Sequence, residues 1–138
     1  MVGTDVVIVS ACRTAVGAFG GSLKGTNAAA LGAVVLKEAV KRAGIDPVLI
    51  DDVRMGCVFD DKIYNNMGRV SALMAGIPES VAACTMNRVC VSAMEAVTSG
   101  AALIKAGMAD IILAGGSEVM SLSPYSLPGS RWGYRLQN

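Results

Sequence analysis

Apolar positions come in blocks whose period changes along the chain. Residues 5–10 form a short, continuous, β-branched run, which predicts a buried strand. Residues 11–25 follow as a loop marked by Gly17, Gly20, Gly21 and Gly25. The period then turns helical. Leu31, Val35 and Ala39 fall on one face, and Lys37, Glu38, Lys41 and Arg42 make a polar one. This predicts an amphipathic surface helix that starts at a Thr26 or Asn27 cap, runs to about Ala43 and ends at Gly44. Asp46-Pro47 predicts a short helical turn through Ile50. A second strand is predicted over 53–58, a polar loop over 59–66, and a second helix over 65–75, closed by Gly76 and Pro78. Residues 82–86 make a third strand.

The pattern from about Cys90 to Ala106 is different in kind. Val91, Ala93, Met94, Ala96, Val97, Ala101, Ala102, Leu103 and Ile104 cover most of a helical circumference, and Glu95 and Lys105 are the only charges. A helix that is apolar all round should be buried all round. Gly107 ends it, and 110–114 reads as a fourth strand leading into Gly115-Gly116-Ser117-Glu118. The order β-α-β-α-β-α-β predicts an α/β fold: a mixed, mostly parallel sheet with helices on both faces. One sheet covers only one side of the third helix. The sequence therefore predicts a covering partner: a second domain, a second chain, or both. Residues 119–138 hold Pro124, Pro128, Gly129 and Gly133 and read as the opening of an insertion whose return is absent. The expected division is 1–118 as an incomplete N-terminal domain and 119–138 as the truncated start of a loop domain.

Composition narrows the chemistry. The 138 residues amount to one ordinary domain, and a net charge of +1 gives no footprint for nucleic acid or an anionic membrane. The longest apolar run is far short of a membrane span, and 6–9 is too short, and lacks a basic flank, to be a signal peptide. The chain contains no histidine, so it cannot build a Cys-His pair, a Ser-His-Asp triad or a histidine metal site by itself. Cys12, Cys57, Cys84 and Cys90 form no C-x-x-C pair, which argues against zinc or iron–sulfur. Reduced cysteines in a cytoplasmic protein are expected. The glycine-rich loop lacks both the G-x-x-x-x-G-K-[ST] and the G-x-G-x-x-G spacing of phosphate-binding turns.

One cysteine stands apart. Cys90 falls where the third strand turns into the third helix. A helix N-terminus carries partial positive charge and unpaired N–H groups, which favour a thiolate, the nucleophilic form. Most unpaired cysteines are simply small buried hydrophobes. That reading suits Cys12, Cys57 and Cys84, each in or beside a predicted strand. Glu118 reads as a carboxylate that holds a loop rather than as an acid catalyst. Asn87 and Arg88 read as residues that shape the turn or meet a partner subunit.

Several stretches together resemble the thiolase family. Residues 13–23, Arg-Thr-Ala-Val-Gly-Ala-Phe-Gly-Gly-Ser-Leu, are similar to its first loop. Asn65-Asn66-Met67-Gly68-Arg69 with Ala75-Gly76-Ile77-Pro78 resembles its second helix. Asn87-Arg88-Val89-Cys90-Val91-Ser92-Ala93 resembles its nucleophile segment, and 106–110 and 114–121 its next strand and turn. The resemblance spans the whole chain in register. It implies acyl transfer between coenzyme A thioesters through an acyl-Cys90 intermediate, with acyl-CoA or acetyl-CoA as substrates and no cofactor or metal. It also implies a backbone N–H at residue 90 that helps bind the oxyanion, and a homo-oligomer, dimer or tetramer, in the intact enzyme. The histidine and second cysteine that the family uses lie in its C-terminal half and have no counterpart here, so the chain alone is expected to be inactive. Val91 and Ala93 depart from the small residue and the glycine usual at these positions. The alternatives are one chain of a split thiolase, a non-catalytic module that binds acyl-CoA or a partner, and, more remotely, a ketoacyl synthase. Arg131 and Arg135 are candidates for the phosphates of coenzyme A, although two tail arginines are more often simply solvated.

Overall fold

The computed structural model describes residues 5–59 and 64–134. It contains three helices and a three-stranded parallel sheet. The order along the chain is α1 (Ala28–Ala43), β1 (Asp52–Gly56), α2 (Met67–Met74), β2 (Ala82–Met86), α3 (Ser92–Lys105) and β3 (Ile112–Gly116). The spatial order is β2-β1-β3. The register aligns Gly56 with both Met86 and Gly116, so all three strands end at one level.

The helices form where the pattern predicts, and their ends have visible causes. Asn27 caps α1 by accepting the Ala30 N–H at 2.7 Å, and Gly44 closes it at a left-handed φ of 67°. Asn66 caps α2 through the Arg69 N–H at 3.0 Å and also accepts the Thr85 hydroxyl, which ties the helix to β2. The predicted turn after Asp46 is a 3₁₀ turn over Pro47–Leu49.

Helices lie on both faces of the sheet. Val53 and Met55 point to one face and are fully buried with Leu36, Val40, Met67 and Ala72 of α1 and α2. Arg54 and Gly56 alternate to the other face and meet α3. There the Arg54 guanidinium donates to Asp52 at 2.8 Å and to the Ser99 hydroxyl at 3.2 Å.

Two expectations are corrected. Residues 5–10 are not a strand, so among the described residues the sheet has three strands rather than four and is parallel rather than mixed. This segment is held to α1 instead, by Ser10 donating to the Ala39 carbonyl at 2.8 Å and Cys12 donating to that of Val35 at 3.1 Å. A cavity of about 700 Å³ lies between it and the open edge of β3, and Val7, Ile8 and Val9 are exposed. The last strand begins two residues later than predicted. The Asp51 carboxylate takes the N–H groups of Asp110 and Ile111 at 2.7 and 2.9 Å, so those N–H groups serve the brace, while the Ile111 carbonyl accepts the Asp51 N–H at 2.9 Å. Residues 119–134 are irregular, with short 3₁₀ turns at Met120–Leu122 and Pro128–Arg131.

Candidate active site

In a parallel α/β sheet, ligands meet the loops beyond the C-terminal ends of the strands. Three loops converge there. Glu118, after β3, accepts the N–H groups of Val58 and Phe59, after β1, at 2.6 and 3.1 Å, and the Cys57 thiol at 3.5 Å. Asn87, after β2, donates to the Val58 carbonyl at 3.1 Å. Glu118 is thus a loop brace, as its position after the Gly-Gly turn suggests. The remainder of the β1 loop, from Asp60 to Ile63, lies outside the described residues.

Cys90 sits in the turn between Asn87 and α3, and it is exposed. The turn is dense with hydrogen bonds. The Asn87 Oδ1 accepts the Val89 N–H at 2.9 Å. The Ser92 hydroxyl donates to the Val89 carbonyl at 2.6 Å and accepts the Arg88 N–H at 2.8 Å. The Arg88 guanidinium pairs with Glu95 at 2.8 Å. Asn87 and Arg88 therefore shape the turn, as one of their two expected roles has it. Val89 has a φ of +56°, the one non-glycine positive φ among the described residues.

The first turn of α3 rests directly on the strand ends. A Cβ on Gly56 would collide with the Ala93 backbone N and, at 2.5 Å, with the Ser92 carbonyl carbon; one on Gly116 would come within 2.7 Å of the Ala93 Cβ. Only glycine permits this approach. Ala93, one of the two departures noted above, packs its methyl over Gly116. Val91, the other, is 55% exposed.

The other cysteines are differently placed. Cys57 is buried against Glu118, and Cys12 and Cys84 are half-buried. Burial pushes the Cys84 thiol up, away from the reactive thiolate. No group of three or more metal-ligating side chains occurs among the described residues, and none of their helices is long and apolar enough to cross a membrane. Arg131 is exposed in the tail, and Arg135 lies outside the described residues. A smaller cavity, about 330 Å³, lies between residues 14–19 and 116–121. Neither cavity is lined by Cys90, which stands on open surface. Sequence reasoning missed the part Ser92 plays; an alcohol two residues past the candidate Cys90 is a signal that could have drawn attention to it.

An exposed cysteine in a strand-to-helix turn at the C-terminal edge of a parallel sheet places the chain in the class of α/β proteins whose strand-end loops converge on one edge. Within that class the chain belongs to the thiolase family: the profile described as "Thiolase, N-terminal domain" matches residues 6–138. The chain is 52% identical over 132 residues to the acetyl-CoA acetyltransferase of Syntrophomonas wolfei, covering 96% of this chain and 33% of that protein. It is 52% identical to the enzyme of the same name from Cupriavidus necator, covering 34% of it. The crystal structure of the Bacillus anthracis acetyl-CoA acetyltransferase superposes with a TM-score of 0.92 at 43% identity, over 96% of this chain and 34% of that one. The chain spans about a third of the length of these relatives.

Proposed function

We propose that this chain carries the nucleophile of a thiolase-type acyltransferase and that the nucleophile is Cys90. The observation that carries the reading is the exposed Cys90 in the turn that leads into α3, just before its N-cap Val91, in a chain that belongs to this family. The Cys90 sulfur attacks the thioester carbonyl of an acyl-CoA. The carbon–sulfur bond to coenzyme A breaks, coenzyme A leaves as its thiolate, and the acyl group stays on Cys90. In the synthetic direction the α-carbanion of a second acyl-CoA then attacks the acyl-cysteine and releases a 3-ketoacyl-CoA; in the degradative direction coenzyme A attacks it. This is ping-pong covalent catalysis. The N–H of residue 90 is the proposed oxyanion donor.

A full cycle needs a base to remove the α-proton. The 138 residues include no histidine, so we infer that the chain by itself turns over little or not at all. Its working partner is then the rest of the enzyme, in cis or in trans, in a homo-oligomer, with residues 1–118 as the N-terminal domain and 119–138 as the start of the loop domain. The location we infer is cytoplasmic.

The test is intact-mass spectrometry after incubation with acetyl-CoA, with Cys90→Ala as control. The expected result is a single acetyl adduct that is absent from the control, together with no sustained thiolysis of acetoacetyl-CoA. An adduct that persists in Cys90→Ala would move the nucleophile elsewhere, and no adduct at all would sink the reading for this chain.

A further inference from the structure

Val89 is a β-branched residue in the left-handed region, a conformation that its side chain disfavours and that persists only where the surroundings impose it. The turn shows what imposes it. The peptide group before Val89 is held by its N–H, which donates to Asn87 Oδ1 at 2.9 Å. The peptide group after it is held by its carbonyl, which accepts both the Ser92 hydroxyl at 2.6 Å and the Ser92 N–H at 3.1 Å. Rotation about φ of Val89 would break one set or the other.

Ser92 has no ordinary capping duty that would account for this. The N-cap of α3 is Val91, which offers no side-chain bond, and Ser92 is the first helical residue. A capping hydroxyl accepts an N–H further along its helix. The Ser92 hydroxyl turns the other way, to Val89 and to the Arg88 N–H, and it is 4% exposed. Asn87 is anchored in turn on the Val58 carbonyl at 3.1 Å, so the clamp is fixed to the β1 loop as well as to α3.

We propose that Ser92 and Asn87 are positioning residues that hold Val89 left-handed and so aim the sulfur of Cys90, the next residue, for acyl transfer. The inference rests on Cys90 being the nucleophile. Reactivity depends steeply on placement, and about an ångström of misplacement costs up to roughly a hundredfold. Glycine adopts a positive φ without a clamp, which provides a rescue that a purely structural role for Ser92 would not show.

The test uses the 138-residue chain with Ser92→Ala, Ser92→Thr, and Ser92→Ala combined with Val89→Gly. Acetylation rate at Cys90 by intact mass is one readout. The second needs no acyl transfer: the NMR Cα and Cβ shifts of residue 89, which report the sign of its φ, with helix content followed by circular dichroism. Ser92→Ala is expected to move Val89 out of the left-handed region and slow acetylation about tenfold or more at unchanged helix content. Ser92→Thr keeps the hydroxyl and the rate, and adding Val89→Gly to Ser92→Ala restores the rate. A Ser92→Ala chain whose Val89 stays left-handed overturns the proposal, and so does a double variant that stays slow. If the wild-type chain takes no acetyl group, the acyl-transfer reading falls, and the shifts of Val89 still decide whether Ser92 holds it.

Discussion

On one face of the sheet Val53 and Met55 are fully buried beneath α1 and α2; on the other, Arg54 and Gly56 meet α3, whose far side is bare. The first face is a core of packed apolar side chains, open toward the β3 edge where the cavity of about 700 Å³ reaches Leu36, Val40 and Met55. The second buries only Ser92, Ala96 and Gly100 of the helix, small residues spaced four apart, and leaves Met94 64% and Val97 41% exposed. The difference separates the face that carries the core from the face that carries the Cys90 turn. The α1–α2 face holds the chain together. The α3 face is thin on its inner side, so that the Cys90 turn sits close over the strand ends, and apolar and exposed on its outer side.

The sharpest way to break the comparison is to truncate one side chain on each face. Met55→Ala is expected to lose about 2–5 kcal/mol by urea titration. Met94→Ala, on the outer face of α3, should lose no more than about 0.5 kcal/mol. Equal losses would mean that the two faces are not unlike. Gly56→Ala comes next, at about 1–3 kcal/mol, because its methyl meets backbone that cannot move aside. It should also change the environment of Cys90, visible as an altered alkylation rate, and an unchanged rate would separate the helix seat from the turn.

The exposed stripe makes a third test. Met94→Glu with Val97→Glu should leave the unfolding midpoint nearly unchanged and weaken self-association of the isolated chain in sedimentation. A wild-type chain that is monomeric at high concentration would contradict it. The smallest effect concerns Asp51, just before β1. Hydrogen bonds from the N–H groups of Ile111 and Asp110 hold its carboxyl below the ordinary aspartate range. A depressed folded value means that this contribution is complete above about pH 4, the unfolded value, and is lost as pH falls through the folded one. Asp51→Asn should therefore lower the thermal midpoint at neutral pH, and its deficit against wild type should shrink on acidification. A deficit independent of pH would assign the effect to shape rather than charge.

Much of this was legible in the sequence, for stated reasons. Asn27 and Gly44 bracket α1 because a side-chain acceptor and a left-handed residue are chemical necessities at helix ends. Residues 82–86 match β2 residue for residue. The all-round apolar pattern of α3 announced its uncovered face before any geometry was known. Residues 5–10 misled because a β-branched run looks the same whether a ladder or a neighbouring helix holds it. The start of β3 was misplaced because Asp51, some sixty positions earlier, claims the N–H groups involved. The sign of φ at Val89 is invisible in a valine. It is a property of Asn87 and Ser92 on either side, and only their hydrogen bonds reveal it.

The contact between Ala93 and Gly116 has a consequence for substitution at this seat. A Cβ at 116 would lie 2.7 Å from the Ala93 methyl and 3.1 Å from the Gly56 carbonyl oxygen. Position 116 is thus closed from the helix and from the neighbouring strand at once, and trimming Ala93 to glycine would relieve the tighter contact and leave the other.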